Sequence, residues 1–141
     1  MNAQQTNHYF GSQNIPPVHS TLDLITISRQ GITKKAALAL AKELVMATNQ
    51  LLLILHVSER TWQRYSDNKL LPQDMTERAL HLASLYQQGE ETFGQAEKFR
   101  GWMSYPNPTL GGRKPIDLLD SLYGFRAIEE ELIRIDYGVL A

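Results

Sequence analysis

From residue 20 onward, apolar side chains recur at three- and four-residue spacing, and residues that cap helices stand where each run begins. Ser20 or Thr21 can cap a short helix over 22–30 that stops at Gly31. Ile32-Thr33 forms a staple-and-cap pair before K-K-A-A-L-A-L-A-K-E-L, a run of strong helix formers. Thr48 is placed to cap a third helix over 49–55, and Ser58 a fourth over 59–68. Leu71-Pro72 opens a longer helix that ends near Gly89, with Leu80, Ala83, Leu85 and Tyr86 as its apolar stripe. Thr92 can cap a further helix through Trp102. A Gly/Pro-rich loop over 105–114 follows, then terminal helices over 115–123 and 125–137. No stretch alternates with the period of a strand. The pattern predicts an all-α fold.

Residues 1–19 are polar, contain Pro16-Pro17 and show no sustained period, so a flexible N-terminal arm is expected there. With 43% hydrophobic and 21% charged residues the remainder reads as globular, and 141 residues suffice for one domain or two small ones. The chain has no cysteine, which excludes disulfides and thiolate metal sites. Its apolar runs are far too short for a membrane helix, and the N-terminus lacks the order of a signal peptide, so a cytoplasmic location is expected.

Net charge is −1, yet the charges are unevenly spread. Residues 1–114 hold 12 Lys/Arg against 9 Asp/Glu, whereas 115–141 hold only Arg126 and Arg134 against six acids. A mildly basic front and an acidic end suit two different partners, although ordinary solvated helix faces would give the same count.

The segment L-L-L-I-L-H-V-S-E-R-T-W-Q-R-Y has the inner-face spacing of a helix-turn-helix, through Leu51, Leu55, Val57, Trp62 and Tyr65. Ser58 would cap its second helix and leave Arg60, Thr61, Gln63, Arg64 and Asn68 facing out. Arg60 and Arg64, one turn apart, could reach a guanine edge or phosphates, and Gln63 could read adenine. Leu52 stands where a small residue is usual, and His56 where the turn commonly holds glycine. Spacing alone also fits a plain helical hairpin around a core tryptophan.

Other chemistry is poorly supported. His8, His19, His56 and His81 have no metal-ligand spacing, and Gly111-Gly112-Arg113-Lys114 lacks the spacing and the preceding strand of a phosphate loop. Glu129, Glu130 and Glu131 are consecutive, so they point around a helix and cannot converge as paired acids. No nucleophile arrangement stands out. No enzyme activity, metal or cofactor is expected.

The order Trp102, Asn107-Pro108, Leu110-Gly111-Gly112, Pro115, Gly124, then Ile128, Leu132, Ile135 and Gly138 resembles the toxin-binding domain of the Xre/MbcA/ParS antitoxins. These are partners of RES-domain toxins in bacterial toxin–antitoxin pairs. The upstream run V-S-E-R-T-W-Q-R is similar to the DNA-binding half of the same family. The resemblance implies an N-terminal helix-turn-helix bundle over 20–91 and a small helical toxin-binding domain over 92–141. It implies an antitoxin that covers the NAD site of a cognate RES-domain toxin and represses its own promoter DNA, as a homodimer and as a hetero-oligomer with the toxin. Glu130, Glu131, Arg134 and the tail Tyr137, Gly138, Val139, Leu140 and Ala141 are the expected toxin contacts, because the remaining motif positions look like core, turns or caps. A carboxylate tail can occupy the cationic groups that an NAD pyrophosphate requires. The alternatives are a stand-alone transcription regulator with a C-terminal dimerisation domain, or an adaptor that binds no DNA.

Overall fold

The computed structural model describes residues 8–11, 13 and 15–138. Seven α-helices follow one another: α1 Thr21–Gln30, α2 Lys34–Glu43, α3 Thr48–Leu55, α4 Glu59–Arg64, α5 Gln73–Phe93, α6 Ala96–Met103 and α7 Leu122–Gly138. Short 3-10 turns occur at 8–10, Pro108–Leu110 and Pro115–Leu118. No strand forms among the described residues. Isolated bridges join Thr33 to Leu70 and Asn107 to Arg113. The chain is all-α.

Two compact units divide it, Met1–Ser84 and Leu85–Ala141, with the division falling inside α5. In the first, the helix starts follow their caps. The Ser20 hydroxyl accepts from the Asp23 amide, Thr33 from Ala36 and Ser58 from Thr61, each satisfying an amide that has no partner within the helix. Ile27, Ala36, Leu40, Leu51, Leu55 and Trp62 are buried at helical spacing. Buried Thr76 is satisfied as well, donating to the Leu71 carbonyl and accepting from the Ile32 amide.

The expected flexible arm differs from what is found. Tyr9, Phe10 and Val18 are buried, and Gly11 lies close to Ala39 of α2. These apolar residues are scattered among prolines and polar residues, so they leave no periodic signal.

Four boundaries move. Thr48 begins α3 rather than capping it; Ala47 stands at the cap with no side-chain bond. α4 ends at Arg64, not Asn68. α5 runs through Gly89 to Phe93 and stops at Gly94, whose amide closes onto the Glu90 carbonyl at 2.8 Å. Gly89 is a contact residue rather than a cap: a Cβ there would overlap the Phe99 ring. Gln95 rather than Thr92 precedes α6. Finally, Pro115–Leu118 is a 3-10 turn, and Gly124 lies within α7.

The second unit is built on aromatics. Phe99 meets Tyr86 edge-on at 5.0 Å, Phe93 at 5.9 Å and Trp102 at 6.0 Å between ring centroids. Burial pushes the Tyr86 phenol well above its ordinary range, and nearby Arg100 only partly opposes this. The 3-10 turn at Pro115–Leu118 contacts both α6 and α7. Gly124 allows this approach, because a Cβ would collide with the Leu118 carbonyl oxygen. Ser121 accepts from the Gly124 amide and starts α7.

Candidate DNA-reading and toxin-binding surfaces

The pair α3–α4 is positioned by contacts of α3 with α2 and with α4. Leu51 and Leu55 are fully buried, Trp62 nearly so, and Val57 and Tyr65 are half-buried, so the inner face expected from spacing is present. His56 takes the left-handed conformation at φ 60°, and the Val57 amide closes onto the Leu52 carbonyl at 3.1 Å. The turn therefore keeps glycine's geometry without glycine. An L-residue is held there against roughly 1–2 kcal/mol of steric cost. Val45, which ends α2, does the same at φ 54°, where a β-branched residue is least comfortable.

α4 is fastened at both ends. Ser58 caps its start and also donates its hydroxyl to the Thr61 hydroxyl at 3.0 Å. At its end the Lys34 ammonium of α2 donates to the carbonyls of Trp62 at 2.9 Å and Tyr65 at 3.0 Å, and it lies 5.2 Å from the Trp62 ring centroid. Capturing these carbonyls ends the helix at Arg64. The following segment is tied to the start of α2: the Lys35 amide donates to the Asp67 carbonyl at 3.0 Å and the Lys34 amide to the Lys69 carbonyl at 2.9 Å.

Of the expected DNA contacts, Arg60, Gln63 and Arg64 are exposed on this short helix. Gln63 donates to Glu59 at 3.4 Å, whereas Arg60 and Arg64 have no partner among the described residues. Thr61 is half-buried and its hydroxyl serves the cap. Asn68 lies beyond the helix and lines a cavity of about 230 Å³ with Lys35, Leu70 and the arm residues Ile15 and Pro16. It is not part of the same row. Sequence reasoning missed Lys34; its place at the first turn of α2 gave no hint of a partner 28 residues on.

On α7 the three glutamates point three ways, as 100° per residue requires. Glu130 is exposed and 3.6 Å from Arg126; Glu131 is buried, its carboxylate accepting from Arg134; Glu129 is half-buried. Glu131 was expected at the surface, and its burial removes it from any partner's direct reach. Arg134 stays largely exposed. Tyr137 is 72% exposed, and Gly138 is the last helical residue. Val139, Leu140 and Ala141 lie outside the described residues. A stripe that sequence reasoning did not single out runs along the outer side: Leu122, Arg126, Glu130, Ile133 and Tyr137 share one face, with Leu122 61% and Ile133 50% exposed. The signal was available in those four- and three-residue steps, but the expected break at Gly124 hid its first member.

No helix among the described residues is long and apolar enough to cross a membrane. Residues 23–84 match the model of the antitoxin Xre-like helix-turn-helix domain. Residues 88–138 match that of the antitoxin Xre/MbcA/ParS C-terminal toxin-binding domain. Among curated proteins, the chain is 33% identical over 88 residues to the Prs ADP-ribosylating antitoxin of Sphingobium sp. (strain YBL2), covering 56% of this chain and 55% of that protein. It is 29% identical over 75 residues to antitoxin Xre of Pseudomonas putida, covering 53% of this chain and 47% of that protein. The chain thus spans about half the length of the curated relatives it matches. With the two domains matched in order onto α1–α5 and α5–α7, the chain belongs to the Xre/MbcA/ParS antitoxin family.

Proposed function

We propose that this chain is the antitoxin of a toxin–antitoxin pair, that its C-terminal unit neutralises a RES-domain, NAD-consuming toxin by covering the NAD site, and that its helix-turn-helix binds the promoter as a homodimer. The observation that carries the reading is the outer face of α7, within the match to a toxin-binding domain. Leu122, Ile133 and Tyr137 offer apolar anchors at i, i+11 and i+15, and Glu130 adds the acid that a cationic nucleotide site attracts. A relative named for ADP-ribosylation supports a partner that uses an ADP-ribose donor such as NAD. For DNA, the support is a reading helix held at both ends with Arg60 and Arg64 unpaired. A helix of six residues offers few contacts, so two half-sites are needed for useful affinity.

The test is rescue from a co-expressed RES-domain toxin, scored by growth and cellular NAD. The wild-type chain should protect, and Ile133→Asp with Tyr137→Ala should lose protection while remaining helical by circular dichroism. Undiminished protection by that variant, or by a chain ending before Pro115, would overturn the assignment.

A further inference from the structure

We infer that the outer face of α1 is where two copies of this chain meet, through Leu22, Ile25, Thr26 and Arg29. The inference rests on the homodimeric promoter reading above and names the surface that makes the dimer. Leu22 is 73% exposed and Ile25 40%, and with Thr26 and Arg29 they occupy positions i, i+3, i+4 and i+7 of one helix face. The opposite face of α1 is already taken: Ile27 and Ser28 are buried, and the arm residues Ile15 and Pro16 share a cavity with Ile27 and Gln30. No described residue of the arm covers the Leu22 side.

The chemistry of this face selects its occupant. DNA would require cations along it, and only Arg29, at its far end, supplies one. The toxin has its own matched domain in residues 88–138. A two-fold interface must be complementary to itself, which favours neutral apolar surface at the centre and opposite character at the two ends. α1 meets that requirement. Asp23 stands in its first turn and Arg29 in its last, so an antiparallel crossing brings each Arg29 to the acidic, positive-dipole end of the other copy's helix and places Ile25 and Thr26 near the axis. Thr26 adds little unsatisfied polarity, because its hydroxyl donates to the Leu22 carbonyl at 3.1 Å. The other exposed apolar residues of this unit, Val45 and Leu53, adjoin the helix-turn-helix itself, where a second copy would stand in the way of DNA.

Because the chain has no cysteine, one introduced thiol reports on one position. Thr26→Cys should oxidise to a covalent dimer, since only residues near a two-fold axis bring their own copies within disulfide reach. Val45→Cys and Leu53→Cys should stay monomeric under the same oxidant. In sedimentation, Leu22→Glu should weaken the dimer about tenfold or more, and operator protection should need correspondingly more protein with the footprint unchanged. A dimer by sedimentation that cross-links through Val45→Cys or Leu53→Cys, but not Thr26→Cys, overturns this surface and leaves the dimeric reading intact. A chain that sediments as a monomer and protects a single half-site overturns both. A Thr26→Cys thiol shielded from maleimide in the monomer, or only after toxin is added, assigns the face to residues 1–7 or to the toxin and likewise overturns it.

Discussion

The turns of the two units solve the same geometric problem differently. In the C-terminal unit every described left-handed residue is glycine: Gly94, Gly111 and Gly112. In the N-terminal unit, Gly11 and Gly31 are joined by Val45 and His56, which flank α3 on either side. Glycine takes this conformation without steric cost, and a β-branched residue takes it with the most. The strain is thus concentrated at the two corners of the helix-turn-helix, where Val45 is itself 73% exposed. The C-terminal unit spends its glycines on closeness as well as on turns: Gly89 lies against Phe99 and Gly124 against Leu118. One unit tolerates strain at its corners, and the other is packed where any added atom would strain it.

The comparison can be broken most forcefully at the cores. Trp62→Ala removes the ring beneath Lys34 and should cost about 3–5 kcal/mol, read as a lower midpoint in chemical denaturation. Gly124→Ala should cost about 3 kcal/mol by overpacking and should disturb the near-ultraviolet signal of the aromatic cluster. A Gly124→Ala protein of unchanged stability would mean that α7 can retreat from the Pro115–Leu118 turn. Next in size, Arg64→Ala should weaken operator binding by ~1–3 kcal/mol in titration while leaving the denaturation midpoint in place. That separates what α4 does for DNA from what it does for the fold.

Smaller effects sharpen the contrast. Val45→Gly should raise stability by about 1 kcal/mol, and His56→Gly by less, because histidine is not β-branched. Substituting glycine away from Gly111 should have the opposite sign. Smallest of all, Glu130→Gln should change stability by roughly 0.3 kcal/mol, as befits an exposed i,i+4 pair with Arg126, yet weaken toxin capture.

Sequence patterns revealed the helices wherever a cap and an apolar stripe coincided, as at Ser20, Thr33 and Ser58. They misplaced boundaries where a glycine served packing rather than termination, as at Gly89 and Gly124, because composition does not distinguish a tight contact from a cap. The buried Tyr9 and Phe10 were illegible for a related reason: a segment that crosses other elements without regular structure has no period to read. The reading row on α4 was largely legible, since Arg60, Gln63 and Arg64 follow from helical spacing and the Ser58 cap. Lys34 was not, because a long side chain that caps a helix elsewhere in the fold depends on tertiary placement. The inward turn of Glu131 was hidden for the same reason.

The seam that holds the segment after α4 consists almost wholly of backbone. Lys34 and Lys35 donate through their amides to the carbonyls of Lys69 and Asp67, and the Leu71 amide returns to the Ile32 carbonyl at 2.8 Å. Main-chain bonds are indifferent to which side chain a residue carries but strict about how many residues lie between them. The stretch from Ser66 to Leu70 is therefore free to drift in spelling and closed to insertion or deletion. Residues on the outer side of α4 can be rewritten for a new operator without redesigning the support beneath them, whereas one added residue in that stretch would move every rung of the seam at once.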